Sequence, residues 1–128
     1  MSKKKALIIT DGSKPIRAIA LFIKEALDEY KVKICPAKRF MGTDLLAADI
    51  FFIGSKRQKP KSFLYLEEML SHINLASRNC SVFSISEKGF NYLCNILKDS
   101  EADLKEPLLI PEDKIEKAAL KKWFNKLK

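Results

Sequence analysis

The pattern that most narrows the fold is an alternation of short, unbroken apolar runs with longer stretches of helical spacing. Lys5-Ala6-Leu7-Ile8-Ile9-Thr10 and Ile50-Phe51-Phe52-Ile53-Gly54 are apolar at successive positions. That is the mark of strands buried on both faces of a parallel sheet, not of strands with one wet face. Between them Ile16, Ile19, Ala20, Ile23 and Leu27 recur at helical spacing, and Pro15 suits the first turn, where a missing N–H costs nothing. Val32 and Ile34 alternate with lysines in a short second strand of edge character, ended by Pro36. Thr43 is placed to cap a one- or two-turn helix carrying Leu45 and Leu46, and Ser62 to cap a helix with Phe63, Leu66, Met69, Leu70 and Ile73 on its apolar face. Cys80 to Ser86 reads as a fourth strand, followed by a helix marked by Phe90, Leu93, Cys94 and Leu97. Leu108-Leu109-Ile110 reads as a fifth strand closed by Pro111, and Ile115, Ala119, Trp123 and Leu127 mark a last helix. This order predicts an α/β three-layer sandwich with a five-stranded parallel sheet and right-handed crossovers.

Residues 1–128 contain no repeat, linker or low-complexity stretch, so a single domain is expected. A chain of this length buries roughly two-thirds of the surface its unfolded form exposes. The hydrophobic share of 47% and charged share of 31% are those of a folded protein rather than a disordered one. No apolar run approaches the roughly 20 residues needed to cross a bilayer. After the basic start Met1-Ser2-Lys3-Lys4-Lys5, the apolar stretch Ala6 to Ile9 is too short for a signal-peptide core. A cytoplasmic protein, monomeric or weakly dimeric, is expected.

Cys35, Cys80 and Cys94 are odd in number and widely spaced, which matches neither a disulfide framework nor a zinc site and leaves three small buried thiols. His72 is the sole histidine. With one imidazole and no clustered acids, no catalytic residues and no metal ligands are assigned. The net charge is +8, and residues 31–61 hold Lys31, Lys33, Lys38, Arg39, Lys56, Arg57, Lys59 and Lys61 against Asp44 and Asp49. Such a balance favours polyanionic partners by long-range attraction.

Local wording then selects among doubly wound folds. Ala6-Leu-Ile-Ile-Thr-Asp-Gly-Ser13, followed by a helix ending in Ile23-Lys-Glu-Ala-Leu27, resembles the opening of flavodoxins. Leu45-Leu-Ala-Ala-Asp-Ile-Phe-Phe-Ile-Gly-Ser55 resembles their third strand, Lys105-Glu-Pro-Leu-Leu-Ile110 their fifth, and the helix containing Trp123 their ending. The resemblance implies strand order 2-1-3-4-5, with ligands bound outside the carboxyl ends of the strands where the winding reverses, between the first and third strands. Three loops, 10–17, 54–61 and 84–90, are expected to build that site.

In flavodoxins the first of these loops wraps the phosphate of flavin mononucleotide (FMN) with hydroxyls, backbone N–H groups and a helix N-terminus. Thr10, Gly12 and Ser13 suit that task, whereas Asp11 brings a negative charge to it and Pro15 removes a donor. Lys14 and Arg17 stand ready to offset Asp11. Flavodoxins place an aromatic ring in the second loop to stack on the flavin, but Ser55-Lys56-Arg57-Gln58-Lys59-Pro60-Lys61 has none. In the third loop and the helix that follows, Ser86 and Tyr92 are the candidate contacts, because Phe90 falls in phase with the core positions Leu93 and Leu97. The candidate binding residues are therefore Thr10, Asp11, Gly12, Ser13, Lys14, Ser55, Lys56, Arg57, Ser86 and Tyr92.

Two readings of function stay open. In one, the scaffold is kept and its basic switch-point loops bind a phosphorylated small molecule or an acidic protein. In the other, the chain binds FMN and passes electrons. Nucleic acid is not expected, since there is no recognised motif and little aromatic interleaving. An acid after the first strand is also similar to the magnesium pocket of receiver and phosphatase proteins, but Ile53-Gly54-Ser55 supplies no second acid.

Overall fold

The computed structural model describes residues 4–39, 41–76 and 78–127; the basic start at residues 1–3 lies outside them. In chain order the elements are β1 (Lys4–Thr10), α1 (Lys14–Ala26), β2 (Tyr30–Pro36), α2 (Gly42–Ala47), β3 (Ile50–Gly54), α3 (Leu64–His72), β4 (Asn79–Ser84), α4 (Glu87–Leu97), β5 (Asp103–Leu104), β6 (Leu108–Leu109) and α5 (Lys117–Leu127). The sheet runs β2-β1-β3-β4-β5, with β6 also pairing β4, and every pairing is parallel.

Alternation along each central strand sorts the core into two layers. Leu7, Ile9, Phe51, Ile53, Cys80 and Val82 point to one face, where they are buried with Leu45 of α2, Phe63, Leu66 and Leu70 at or near α3, and Leu93 and Leu97 of α4. Ala6, Ile8, Phe52 and Phe83 point to the other, against Ile16, Ile19 and Ile23 of α1 and Leu120, Trp123 and Phe124 of α5. This is the three-layer arrangement expected from strands apolar on both faces.

The strand register aligns the carboxyl ends of the sheet. Thr10 pairs with Pro36 and with Gly54, Gly54 with Phe83, and Phe83 with Leu108. The loops that leave β2, β1, β3, β4 and β6 therefore start from one row. The reversal of winding between β1 and β3 opens the crevice in which ligands of such sheets bind.

The expected fifth strand, Leu108–Ile110, is preceded by a second short strand on the same edge. β5, which was not foreseen, and β6, within the expected strand, both pair with β4, so the 2-1-3-4-5 order holds; the Lys105 N–H still donates to Cys80 O (2.7 Å), and residues 106–107 leave the ladder between the two. The Glu106 carbonyl accepts from Ser81 Oγ (2.8 Å) and from Trp123 Nε1 (2.9 Å), and Pro107 has no N–H to offer β4. Helix starts also move. Met41, not Thr43, precedes α2, and its N–H donates to Asp44 Oδ2 at 3.4 Å. A 3₁₀ turn over Lys61–Phe63 replaces the expected Ser62 cap before α3. Among the described residues no helix is long and apolar enough to cross a membrane.

Gly54 closes β3 under the ring of Phe83, and a Cβ added there would lie inside that ring. Both neighbours are fully buried, so the overlap has nowhere to relax. Gly54→Ala should destabilise the protein by about 1–3 kcal/mol, read as a lower urea midpoint at unchanged m-value. A change below about 0.5 kcal/mol would show that the strand shifts freely here.

Candidate functional site

The first loop folds around one carboxylate. Asp11 Oδ1 accepts from the Ser13 N–H (2.9 Å) and from Ser13 Oγ (2.7 Å), while Oδ2 accepts from the Lys56 N–H (2.7 Å). Asp11 thus joins the turn after β1 to the turn after β3. Gly12 lies between its ends at φ +84°, a left-handed conformation that an L side chain resists. The Gly12 N–H donates to Thr10 Oγ1 at 3.3 Å. Ser13 precedes α1 as its cap residue, but its hydroxyl serves Asp11 and makes no bond to the helix. Lys14 and Arg17 are exposed, and neither forms an ion pair with Asp11. Among the described residues no ion pair reaches Asp11; its oxygens are satisfied by these hydrogen bonds.

A chain of hydroxyls ties the second loop to the third. The Ser55 N–H donates to Phe83 O (3.3 Å), and its Oγ donates to Arg57 O (2.8 Å). Ser84 Oγ donates to Ser55 O (2.7 Å), and Ser86 Oγ donates to Lys56 O (2.8 Å). Ser86 also caps α4, accepting from the Gly89 N–H at 3.1 Å. Gly89 is packed so tightly that an added Cβ would stand 2.6 Å from Ser84 Oγ. Ser84 and Gly89 were not expected to matter. Their one signal in the sequence is the Ser-Ile-Ser spacing that ends a buried strand, with a glycine at the third position of the next helix.

Tyr92 does not belong to this site. It is 8% exposed, within the core layer under α3 and α4, with its ring centroid 6.2 Å from that of Phe63. The buried stripe of α4 runs Gly89, Tyr92, Leu93, Leu97, so the face nearest the sheet begins at a glycine and Phe90 is left half-buried. Burial first, and the Glu67 carboxylate second, hold the Tyr92 phenol above the ordinary tyrosine range. Its hydroxyl and Glu67 Oε2 are both buried outside ordinary hydrogen-bond geometry. Thr10, Asp11, Gly12, Ser13, Lys14, Ser55, Lys56, Arg57 and Ser86 do come together at the carboxyl ends of β1, β3 and β4.

Charge divides this end of the sheet. Lys38 and Arg39 follow β2, Lys14 and Arg17 follow β1, and Lys56, Arg57, Lys59 and Lys61 follow β3. Glu87, Glu112 and Asp113 follow β4 and β6, with Lys88 and Lys114 among them. Of the eight cations, only Lys56 forms an ion pair among the described residues, a loose 3.9 Å contact of Nζ with Glu112 Oε1. Lys59 holds φ +47°, an uncommon conformation for a side-chain-bearing residue that turns the basic loop back toward α3. Two clefts flank Gly12. One of about 360 Å³ is lined by Asp11, Ser13, Lys56, Arg57 and Pro60. The other, of about 390 Å³, is lined by Thr10, Arg17, Leu21, Lys24, Ile34 and Pro36. No group of three or more His, Cys, Asp or Glu side chains is placed to hold a metal among the described residues.

No family model matches the chain, and no curated protein matches it. Solved structures do. A short-chain flavodoxin associated with a non-canonical PDU bacterial microcompartment superposes with a TM-score of 0.81 at 15% identity, covering 98% of this chain and 96% of that one. The oxidised flavodoxin 2 from Bacillus cereus gives 0.78 at 25% identity, covering 94% and 93%. The Fusobacterium nucleatum flavodoxin bound to FMN gives 0.76 at 9% identity, covering 98% and 95%. The fold is that of the flavodoxins.

On this fold several features of the loops depart from the flavodoxin pattern for FMN. The converging donors after β1 and β3 are filled by Asp11, Pro15 has no N–H, and residues 55–61 carry no aromatic ring. Tyr92, the one ring expected from the third segment, is inside the core.

The hydroxyl chain has a direct consequence for stability. Ser84→Ala leaves the buried Ser55 carbonyl without its donor and should cost about 1–3 kcal/mol. Urea unfolding checks this, and a neutral result would mean that water enters to replace the hydroxyl.

Proposed function

We propose that the chain is a binding module on a flavodoxin scaffold, one that takes an anionic group through the cationic half of its switch-point face. The ligand is a phosphorylated small molecule or an acidic protein surface. The supporting observation is the charge division described above: eight basic side chains over the ends of β2, β1 and β3, with one loose ion pair among the described residues. Unpaired cations gathered on one side of a crevice raise the local concentration of anions and speed their capture, and the effect fades as salt screens it. The clefts on either side of Gly12 give an anionic group two places to enter. Fixed loops suit recognition, because little ordering remains to be done on binding.

The rival reading, an FMN-dependent electron carrier, draws support from the FMN-bound flavodoxin that shares the fold. Stacking and phosphate capture argue against it on the residues of this chain. An arginine such as Arg57 can stack on a planar ring, but it would do so with a positive charge and without a second wall.

Calorimetric titration separates the readings. Polyglutamate and inorganic pyrophosphate serve as the acidic and phosphorylated probes, and FMN as the third ligand. The proposal expects one of the first two to bind at low salt and to weaken at least about tenfold between roughly 20 and 200 mM salt. It also expects Lys56→Glu with Arg57→Glu to abolish that binding, and FMN to give no stable yellow complex. Stoichiometric FMN uptake would establish the electron-carrier reading instead, and silence from both anionic probes at low salt would retire the proposal.

A further inference from the structure

We propose that Asp11 is the resident anion of the switch point: its carboxylate occupies the seat in which a phosphate would otherwise be held, and so closes this chain to phosphate and FMN from within. The inference goes beyond the cationic face: a phosphorylated ligand of that face would meet the outer lysines and arginines, not the donors that Asp11 holds.

Three observations carry it. The first is the donor set. Two backbone N–H groups and one hydroxyl, drawn from two separate loops, converge on one carboxylate at 2.7–2.9 Å. Backbone N–H groups and hydroxyls beside a helix N-terminus are the donors that hold phosphate in other proteins. Bonds of this length to an ionised oxygen are charge-assisted and strong. The second is the diversion of Ser13. A serine directly before a 13-residue helix would ordinarily bond to the helix N–H groups, yet this hydroxyl turns to Asp11 instead. The third is what the carboxylate is not doing. Among the described residues it pairs with no lysine or arginine, although Lys14, Arg17, Lys56 and Arg57 are all nearby in the chain or across the crevice. Its charge is met by the donors of the seat itself.

A tethered carboxylate has a decisive advantage over a free anion. It has no translational freedom to lose, so a dissolved phosphate competes against a group already in place. The seat also joins the loops after β1 and β3 through the Lys56 N–H. Entry of an external phosphate would therefore require Asp11 to swing out and would leave two like charges side by side.

The test compares the intact protein with Asp11→Ser, following Ser13 and Lys56 amide resonances by NMR while inorganic phosphate, and separately FMN, is added. In the intact protein both amides should keep their through-hydrogen-bond couplings to the Asp11 carboxylate when either ligand is added. In Asp11→Ser both should move saturably with phosphate, with affinity at least about tenfold above that of the intact protein. A folded Asp11→Ser that binds phosphate no better than the parent overturns the proposal. So does loss of those couplings in the intact protein on adding phosphate, an outcome that requires no variant. If Asp11→Ser does not fold, Asp11→Ala empties the seat without adding a hydroxyl, and the same two outcomes apply. Polyglutamate binding by the intact protein is independent of these results, so failure here and failure of the binding-module reading are told apart.

Discussion

A carboxylate that is partly withdrawn from water must find donors or lose its charge. Asp11 finds three, and the way it does so shapes the whole carboxyl end of the sheet. Two of them fix the turn that carries the chain from β1 into α1. The third reaches across the winding reversal and holds the first residue of the basic loop. Register makes this possible, since Thr10 and Gly54 are paired neighbours and the residues after each emerge side by side. From that point the hydroxyls of Ser55, Ser84 and Ser86 carry the fastening on to β4 and α4. Loops that in a ligand-gripping protein would be completed by the ligand are here completed by one another.

This arrangement separates two properties that the same loops could have combined. Two of the inner N–H donors, those of Ser13 and Lys56, are held by the Asp11 carboxylate. The outer surface keeps its lysines and arginines, exposed and, apart from Lys56, without ion pairs among the described residues. Apart from Asp11, the acids of this end lie on the β4 and β6 side, where Lys88 and Lys114 stand among them, so the positive charge is concentrated over β2, β1 and β3. Long-range attraction needs only such a surface, whereas tight capture of a phosphate needs inward-pointing donors. The likeness to solved flavodoxins is a likeness of scaffold, at 25% identity or less in the structures compared.

Much of the architecture was legible because buried strands write plainly. Ala6 to Ile9 and Phe51 to Ile53 are apolar on both faces, and a parallel sheet covered on both sides is the environment that asks for it. The three loops followed from strand order, and nine of ten candidate residues lie where the strands end. Tyr92 did not, because the inner stripe of α4 starts at Gly89, a residue with no side chain to announce a buried face. The break between β5 and β6 was hidden for a different reason. It depends on Ser81 and Trp123 drawing the Glu106 carbonyl off the ladder, and both are remote in sequence from the edge they interrupt. Asp11 was visible as an odd charge in a phosphate turn. Its bond to the Lys56 N–H was not, since it links residues 45 apart.

The central claim is that the Asp11 carboxylate holds the Ser13 and Lys56 N–H groups, and through-hydrogen-bond NMR coupling tests it most directly. A long-range HNCO spectrum of the intact protein should connect the amide nitrogens of Ser13 and Lys56 to the side-chain carboxyl carbon of Asp11. The account is contradicted if neither amide shows that connection and both exchange with solvent at the rate of an open loop.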